Sequence, residues 1–73
     1  MDDKEFLKKI GENIVLFRKK AGVKQLELAE KVEIDRITLY RMETGKTKVV
    51  NILTLKKISE KLGVPFHKLV KVD

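Results

Sequence analysis

Apolar residues along this chain recur at three- and four-residue spacing, which is the period of an α-helix. Phe6, Ile10, Ile14, Phe17 and Ala21 form one such stripe and predict a first helix from about Asp3 to Ala21. Asp2, Asp3 and Glu5 suit the positive end of its dipole, and Arg18, Lys19 and Lys20 suit the negative end. Gly22 is the expected stop, while Val15 and Leu16 fall off the stripe. A second helix is expected over Gln25 to Val32. Its cap position holds Lys24, which has no acceptor for the first-turn amides. Glu33 follows at a turn position that often needs a positive φ. Asp35 is a good cap for a third helix, Arg36 to Thr44, which Gly45 ends. Asn51 opens a fourth, Ile52 to Leu62, with Ile52, Leu55, Ile58 and Leu62 as its inner stripe and Gly63 as its stop. Pro65 fits the first turn of a last short helix, with Phe66, Leu69 and Val70 on one side. There is no strand pattern, internal repeat or low-complexity tract. The expectation is an all-α fold of five helices, with residues 1–73 as one domain.

Residues 25–45 carry the functional signal. Leu28, Val32, Ile34, Leu39 and Met42 can fold the second and third helices against each other, and Ala29 lets their backbones pass closely. Arg36, Ile37, Tyr40 and Arg41 then point outward from the third helix. A short helix, a three-residue turn and a second helix with a polar outer face make the layout of a helix-turn-helix. Its second helix enters the DNA major groove with its N-terminal residues leading. An arginine there can donate two hydrogen bonds to guanine O6 and N7, worth roughly 1–3 kcal/mol of discrimination. Arg36 and Arg41 are therefore the candidates for base readout, with a phosphate contact or a solvated side chain as the plainer alternative. Ile37 and Tyr40 share that face and suit a thymine methyl; the Tyr40 hydroxyl would also suit a phosphate. Thr38 can reach a phosphate or bond back to its own helix.

Composition narrows the field. Seventeen basic residues against eleven acidic ones give a net charge of +6. The excess is uneven: residues 1–45 hold ten basic and nine acidic side chains, residues 46–73 seven and two. That bias favours a polyanion partner, although a lysine-rich solvated surface would look the same. With 73 residues, the chain can bury only ~60% of its unfolded surface, so its core is marginal. There is no cysteine and only one histidine, His67, which excludes disulfides and thiolate metal sites and leaves no basis for a metal or cofactor. An enzyme is rejected because no convergent acid–base set is present. No signal peptide or membrane-spanning run is evident, so a cytoplasmic protein is expected. His67 reads as a surface histidine.

Taken in order, Ile10-Gly11-Glu12-Asn13-Ile14, Gln25-x-x-Leu28-Ala29, Arg41-x-Glu43-x-Gly45-Lys46, Thr54-Leu55-x-Lys57-Ile58 and Leu62-Gly63-Val64 resemble the lambda-repressor-like family of DNA-binding domains, the Cro/repressor or XRE type. The Asp35-Arg36 opening of helix three also looks like restriction–modification controller proteins. The chain departs from the family at Lys24, where Ser or Thr is usual, at Glu33, where glycine is common, and at Val49-Val50, where proline is frequent. The resemblance implies that Gln25 contacts the DNA backbone and braces the recognition helix. It implies that Lys46, Thr47 and Lys48 lie along phosphates, and that Arg18 and Glu43 form an internal ion pair.

The leading expectation is a transcriptional regulator that binds double-stranded DNA as a homodimer on a two-fold operator. Phe66, Leu69, Val70 and Val72 are crowded into the last eight residues, and part of that set is expected to form the dimer interface. The alternative is an antitoxin-like module that masks a partner protein, with DNA binding secondary. Val15, Leu16 and Leu26 would then supply its apolar surface.

Overall fold

The computed structural model describes residues 1–72. Five helices follow in order: α1 (Asp3–Lys20), α2 (Gln25–Lys31), α3 (Arg36–Thr44), α4 (Ile52–Leu62) and α5 (Phe66–Leu69), with no strand among the described residues. The caps follow the local chemistry. Asp2 accepts the Glu5 amide at 2.8 Å and Asp35 accepts the Thr38 amide at 2.6 Å. Asn51 accepts from both Leu53 and Thr54. The Lys24 side chain makes no cap bond. The Glu27 carboxylate instead reaches back to accept the Lys24 amide at 3.4 Å. At the other ends, α1, α2, α3 and α4 all close with one left-handed residue, and the next amide bonds five residues back. Glu33 holds that place after α2 at φ 62°, a strained setting for a side-chain-bearing residue. The Ile34 amide offsets the strain by bonding to the Ala29 carbonyl at 3.0 Å.

One apolar core joins the helices: Ile10 and Ile14 from α1, Leu28 and Ala29 from α2, Leu39 and Met42 from α3, Leu55 and Ile58 from α4, and Leu69 from α5, with Val32 from the turn. The inner face of α1 is narrower than its stripe suggests, since Phe6 and Ala21 at the ends are exposed. The stripe on α4 needs a larger correction. Its spacing puts Ile52 inside, yet Ile52 is 65% exposed, as is Leu53. The first turn of α4 runs past the core, so its buried face begins at Leu55 and includes Ser59, whose hydroxyl donates to the Lys56 carbonyl.

Two contacts seat α1 against the rest. At Gly11 the backbone of α3 lies so close that an added Cβ would stand 2.3 Å from the Met42 carbonyl oxygen and 2.6 Å from that of Glu43. At Asn13 the side-chain amide donates to the carbonyls of Leu69 and Lys71, at 2.9 and 2.6 Å, and fastens the chain after α5 onto α1.

The Gly11 crossing yields a test with a definite sign. Glycine to alanine inside an exposed helix ordinarily stabilises by about 1 kcal/mol. Here it must push two backbones apart, so Gly11→Ala should destabilise by about 1–3 kcal/mol or more. Urea unfolding followed by circular dichroism measures this directly; a raised midpoint would show that the crossing has slack.

Candidate nucleic-acid interface

The packing of α2 and α3 decides which side chains are offered to a ligand. Leu39 and Met42 face the core, so Arg36, Ile37, Tyr40 and Arg41 are left on the outer side of α3. Ile37 is 58% exposed and Tyr40 44%, so both large side chains stand free on this face. Thr44 is exposed one turn beyond Tyr40, and its hydroxyl donates to the Tyr40 carbonyl at 2.9 Å. The Lys46 ammonium lies 5.7 Å above the Tyr40 ring, so the loop after α3 carries its positive charge onto the same surface.

Asp35 sets the start of this helix. Its pKa is lowered from the usual 3.8, first by the Thr38 amide, then by the Thr38 hydroxyl, with a smaller contribution from Arg41. A depressed carboxylate contributes its capping fully above the unfolded-state pKa and loses it as pH falls through the folded-state value. The Thr47 hydroxyl is occupied, donating to the Val49 carbonyl at 2.6 Å. Of the five expected backbone-contact residues, Lys46 and Lys48 present exposed charges and Thr38 is exposed on α3, whereas Thr47 would have to break an internal bond to donate to a phosphate.

Gln25 occupies a different setting. Its amide nitrogen donates to Glu43 Oε1 at 3.0 Å. Glu43, with a side chain only 4% exposed, also receives a paired grip from Arg18: Nε to Oε2 at 2.7 Å and Nη2 to Oε1 at 3.0 Å. The third arginine nitrogen, Nη1, donates to the Val23 carbonyl at 3.0 Å. One buried carboxylate therefore ties together α1, the turn after it, the first residue of α2 and the last turn of α3. No buried side-chain nitrogen or oxygen among the described residues lacks a partner, so the desolvated charges are fully compensated. Gln25 retains a second N–H and its carbonyl oxygen, held at a fixed angle beside the outer surface.

The expected dimer set is divided by the structure. Leu69 is fully enclosed in its own core and cannot present surface to a second copy, which corrects its place in that set. Phe66, Val70 and Val72 are half-buried against the same core. The apolar surface at this end comes instead from α4. Ile52 and Leu53 line an open depression of about 390 Å³ with Lys56 and Phe66. The periodicity could not show this, because it assigned Ile52 to the inner face. Of the residues read as apolar surface for a partner protein, Leu16 and Leu26 are exposed and Val15 is half-buried. Among the described residues no group of His, Asp or Glu is placed to hold a metal, and no helix is long and apolar enough to cross a membrane.

A tri-helical unit with a capped outer helix, a basic loop behind it and a buried brace beneath it is the architecture of a DNA-binding transcription regulator. The helix-turn-helix family HTH_3 matches residues 14–69, and the chain belongs to that family. Three solved structures give the scale of the likeness. The restriction-modification controller protein C.AhdI from Aeromonas hydrophila is 25% identical with a TM-score of 0.87, covering 94% of this chain and 99% of its own. The master regulator for biofilm formation SinR, solved in complex with DNA, is 34% identical with a TM-score of 0.79, over 85% of this chain and 98% of its own. A hypothetical transcription factor, NHTF, from Neisseria is 25% identical with a TM-score of 0.84, over 99% of this chain and 82% of its own. No curated protein sequence matches the chain. The lambda-repressor-like resemblance and the five-helix all-α fold are thereby borne out, and a restriction–modification controller protein is among the structures the chain resembles.

The brace makes a quantitative claim. Removing one member of a buried ion pair strands the other charge and costs about 3–5 kcal/mol. Arg18→Met and Glu43→Leu should each lose stability on that scale, and the double variant should recover much of it. A double-mutant cycle on unfolding free energies gives the coupling. Additive losses would mean that the two charges act independently.

Proposed function

We propose that the protein is a sequence-specific transcriptional regulator that binds double-stranded DNA as a homodimer, with α3 in the major groove. The observation that carries this reading is the outer face of α3. Arg36 and Arg41 flank exposed Ile37 and Tyr40 on a helix whose other side is packed against the core and whose last turn is held by the brace. The arginines read base edges, and Ile37 and the Tyr40 ring meet thymine methyls. Lys46 and Lys48 hold the flanking phosphates and set register. Gln25, oriented by Glu43, adds a phosphate contact at the start of α2. SinR, which shares this fold and was solved with DNA bound, supports the same mode of use.

The second copy is best accommodated at the end of the molecule formed by α4 and α5. Ile52, Leu53 and Phe66 supply the anchors, with Val70 and Val72 at the margin. An isologous contact there adds apolar burial to a small core and sets the distance between two recognition helices, about 34 Å for half-sites one turn apart. A second reading rests on exposed Leu16 and Leu26, which suit a partner protein of the kind an antitoxin masks. Gel filtration of the protein with its genomic neighbour separates the two: a stable complex that excludes DNA supports the second.

Arg36→Ala and Arg41→Ala should erode preference for the selected site over random DNA. Lys48→Ala should weaken both about equally and lower the salt slope by about one unit. Titrations of both duplexes at several salt concentrations provide the check, and unchanged preference in both arginine variants would remove α3 as the reader. For the interface, Ile52→Glu with Leu53→Glu should give a monomer by light scattering and weaken operator binding. If Val70→Asp with Val72→Asp dissociates the protein and the α4 pair does not, the contact lies on the C-terminal segment.

A further inference from the structure

A large open groove, of about 680 Å³, lies beyond the C-terminal end of α3. It runs between the first two turns of α1 and the loop after α3, lined by Lys4, Leu7, Lys8, Thr44 and the stretch from Gly45 to Lys48, with Asp3 at its end. Four lysines converge on it: Lys4 and Lys8 from one wall, Lys46 and Lys48 from the other. Lys4 and Lys8 are one helical turn apart, so they share a face of α1. Gly45 holds the two walls together. A Cβ there would stand 2.8 Å from the Lys8 Cα, and its φ of 73° lets the loop turn back along α1. Among the described residues, none of the four lysines lies within ion-pair distance of a carboxylate, whereas Lys9, Lys31, Lys56 and Lys57 each do. Lys46 and Thr44 also adjoin Tyr40, so the groove continues from the outer face of α3.

We infer that this groove is a second phosphate-binding surface, in which Lys4 and Lys8 engage the sugar–phosphate backbone of DNA flanking the bases read by α3. The inference rests on the DNA-binding reading above and extends its footprint. Exposed lysines on two facing walls, none of the four paired with a carboxylate among the described residues, fit a run of phosphates better than a small ligand. Binding of this kind carries no sequence information. It adds affinity through counterion release, and each phosphate neutralised raises the salt slope by about 0.9. The consequence is a DNA-length requirement: a duplex that ends at the last base pair facing α3 leaves Lys4 and Lys8 without a phosphate.

The test uses two duplexes carrying the selected site, one ending at that base pair and one extended by about five base pairs, half a helical turn, at each end. Wild-type protein should bind the longer duplex more tightly and with a salt slope steeper by about two per bound protomer. Lys4→Ala with Lys8→Ala should abolish that gain, bind the short duplex as the wild type does and keep its sequence preference. Lys61→Ala with Lys71→Ala, which removes the same charge away from the groove, should keep the length-dependent gain. The inference is overturned if the Lys4/Lys8 variant gains as much as the wild type from the extension. It is also overturned if that variant loses the same factor on both duplexes, as a general field effect would. Failure of the wild type to bind either duplex would remove the DNA-binding reading itself, and this surface with it.

Discussion

The buried carboxylate of Glu43 is the constraint on which the rest of the arrangement depends. It sits in the last turn of α3 and receives Arg18 from α1 and Gln25 from α2, while Arg18 also holds the Val23 carbonyl. Its energetic role is not simple stabilisation. Replacing a buried pair by well-packed apolar groups is often neutral or favourable. What an apolar replacement would not supply is direction. The fork of Arg18 fixes the end of α3 relative to α1, and Glu43 Oε1, which also accepts from Arg18 Nη2, fixes the Gln25 amide.

The close crossing at Gly11 serves the same purpose by other means. A glycine midway along α1 brings the α3 backbone near enough for Arg18 to reach Glu43 from seven residues further along. Gly45 then repeats the device at the other end of the contact, where the loop turns beside Lys8. Two side-chain-free positions thus set the distance between α1 and α3, and the ion pair sets their register. The outer face of α3 is presented from a rigid platform because three elements are locked beneath it. The basic loop beyond it inherits that order through the Lys46 contact with Tyr40.

Placing α4 and α5 shows a different balance. Leu55, Ile58 and Leu69 complete the core, and Asn13 pins the segment after α5 to α1. The first turn of α4 extends beyond what the core can cover, leaving Ile52 and Leu53 in solvent. A small domain has few apolar residues to spare, so this surface weighs more than scattered exposure would.

Much of this was legible in the residues themselves. The five helices, the Asp2, Asp35 and Asn51 caps, the stops at Gly22, Gly45 and Gly63 and the positive φ at Glu33 are local matters, decided by side chains within a few positions of one another. The outward set on α3 was equally readable, because its helical period left those residues no inward path. Gly11 was beyond such reasoning: an ordinary helix glycine becomes indispensable only when another backbone arrives against it. The same holds for Ile52, whose spacing placed it inside, and for Leu69, whose crowding with Val70 and Val72 suggested an outer patch. Gln25 met Glu43, and Lys8 met the turn at Gly45, only when α1, α2 and α3 were brought together. Periodicity reports which face of a helix is apolar; how far along its length that face is covered, and by which neighbour, is settled by contacts between residues distant in sequence.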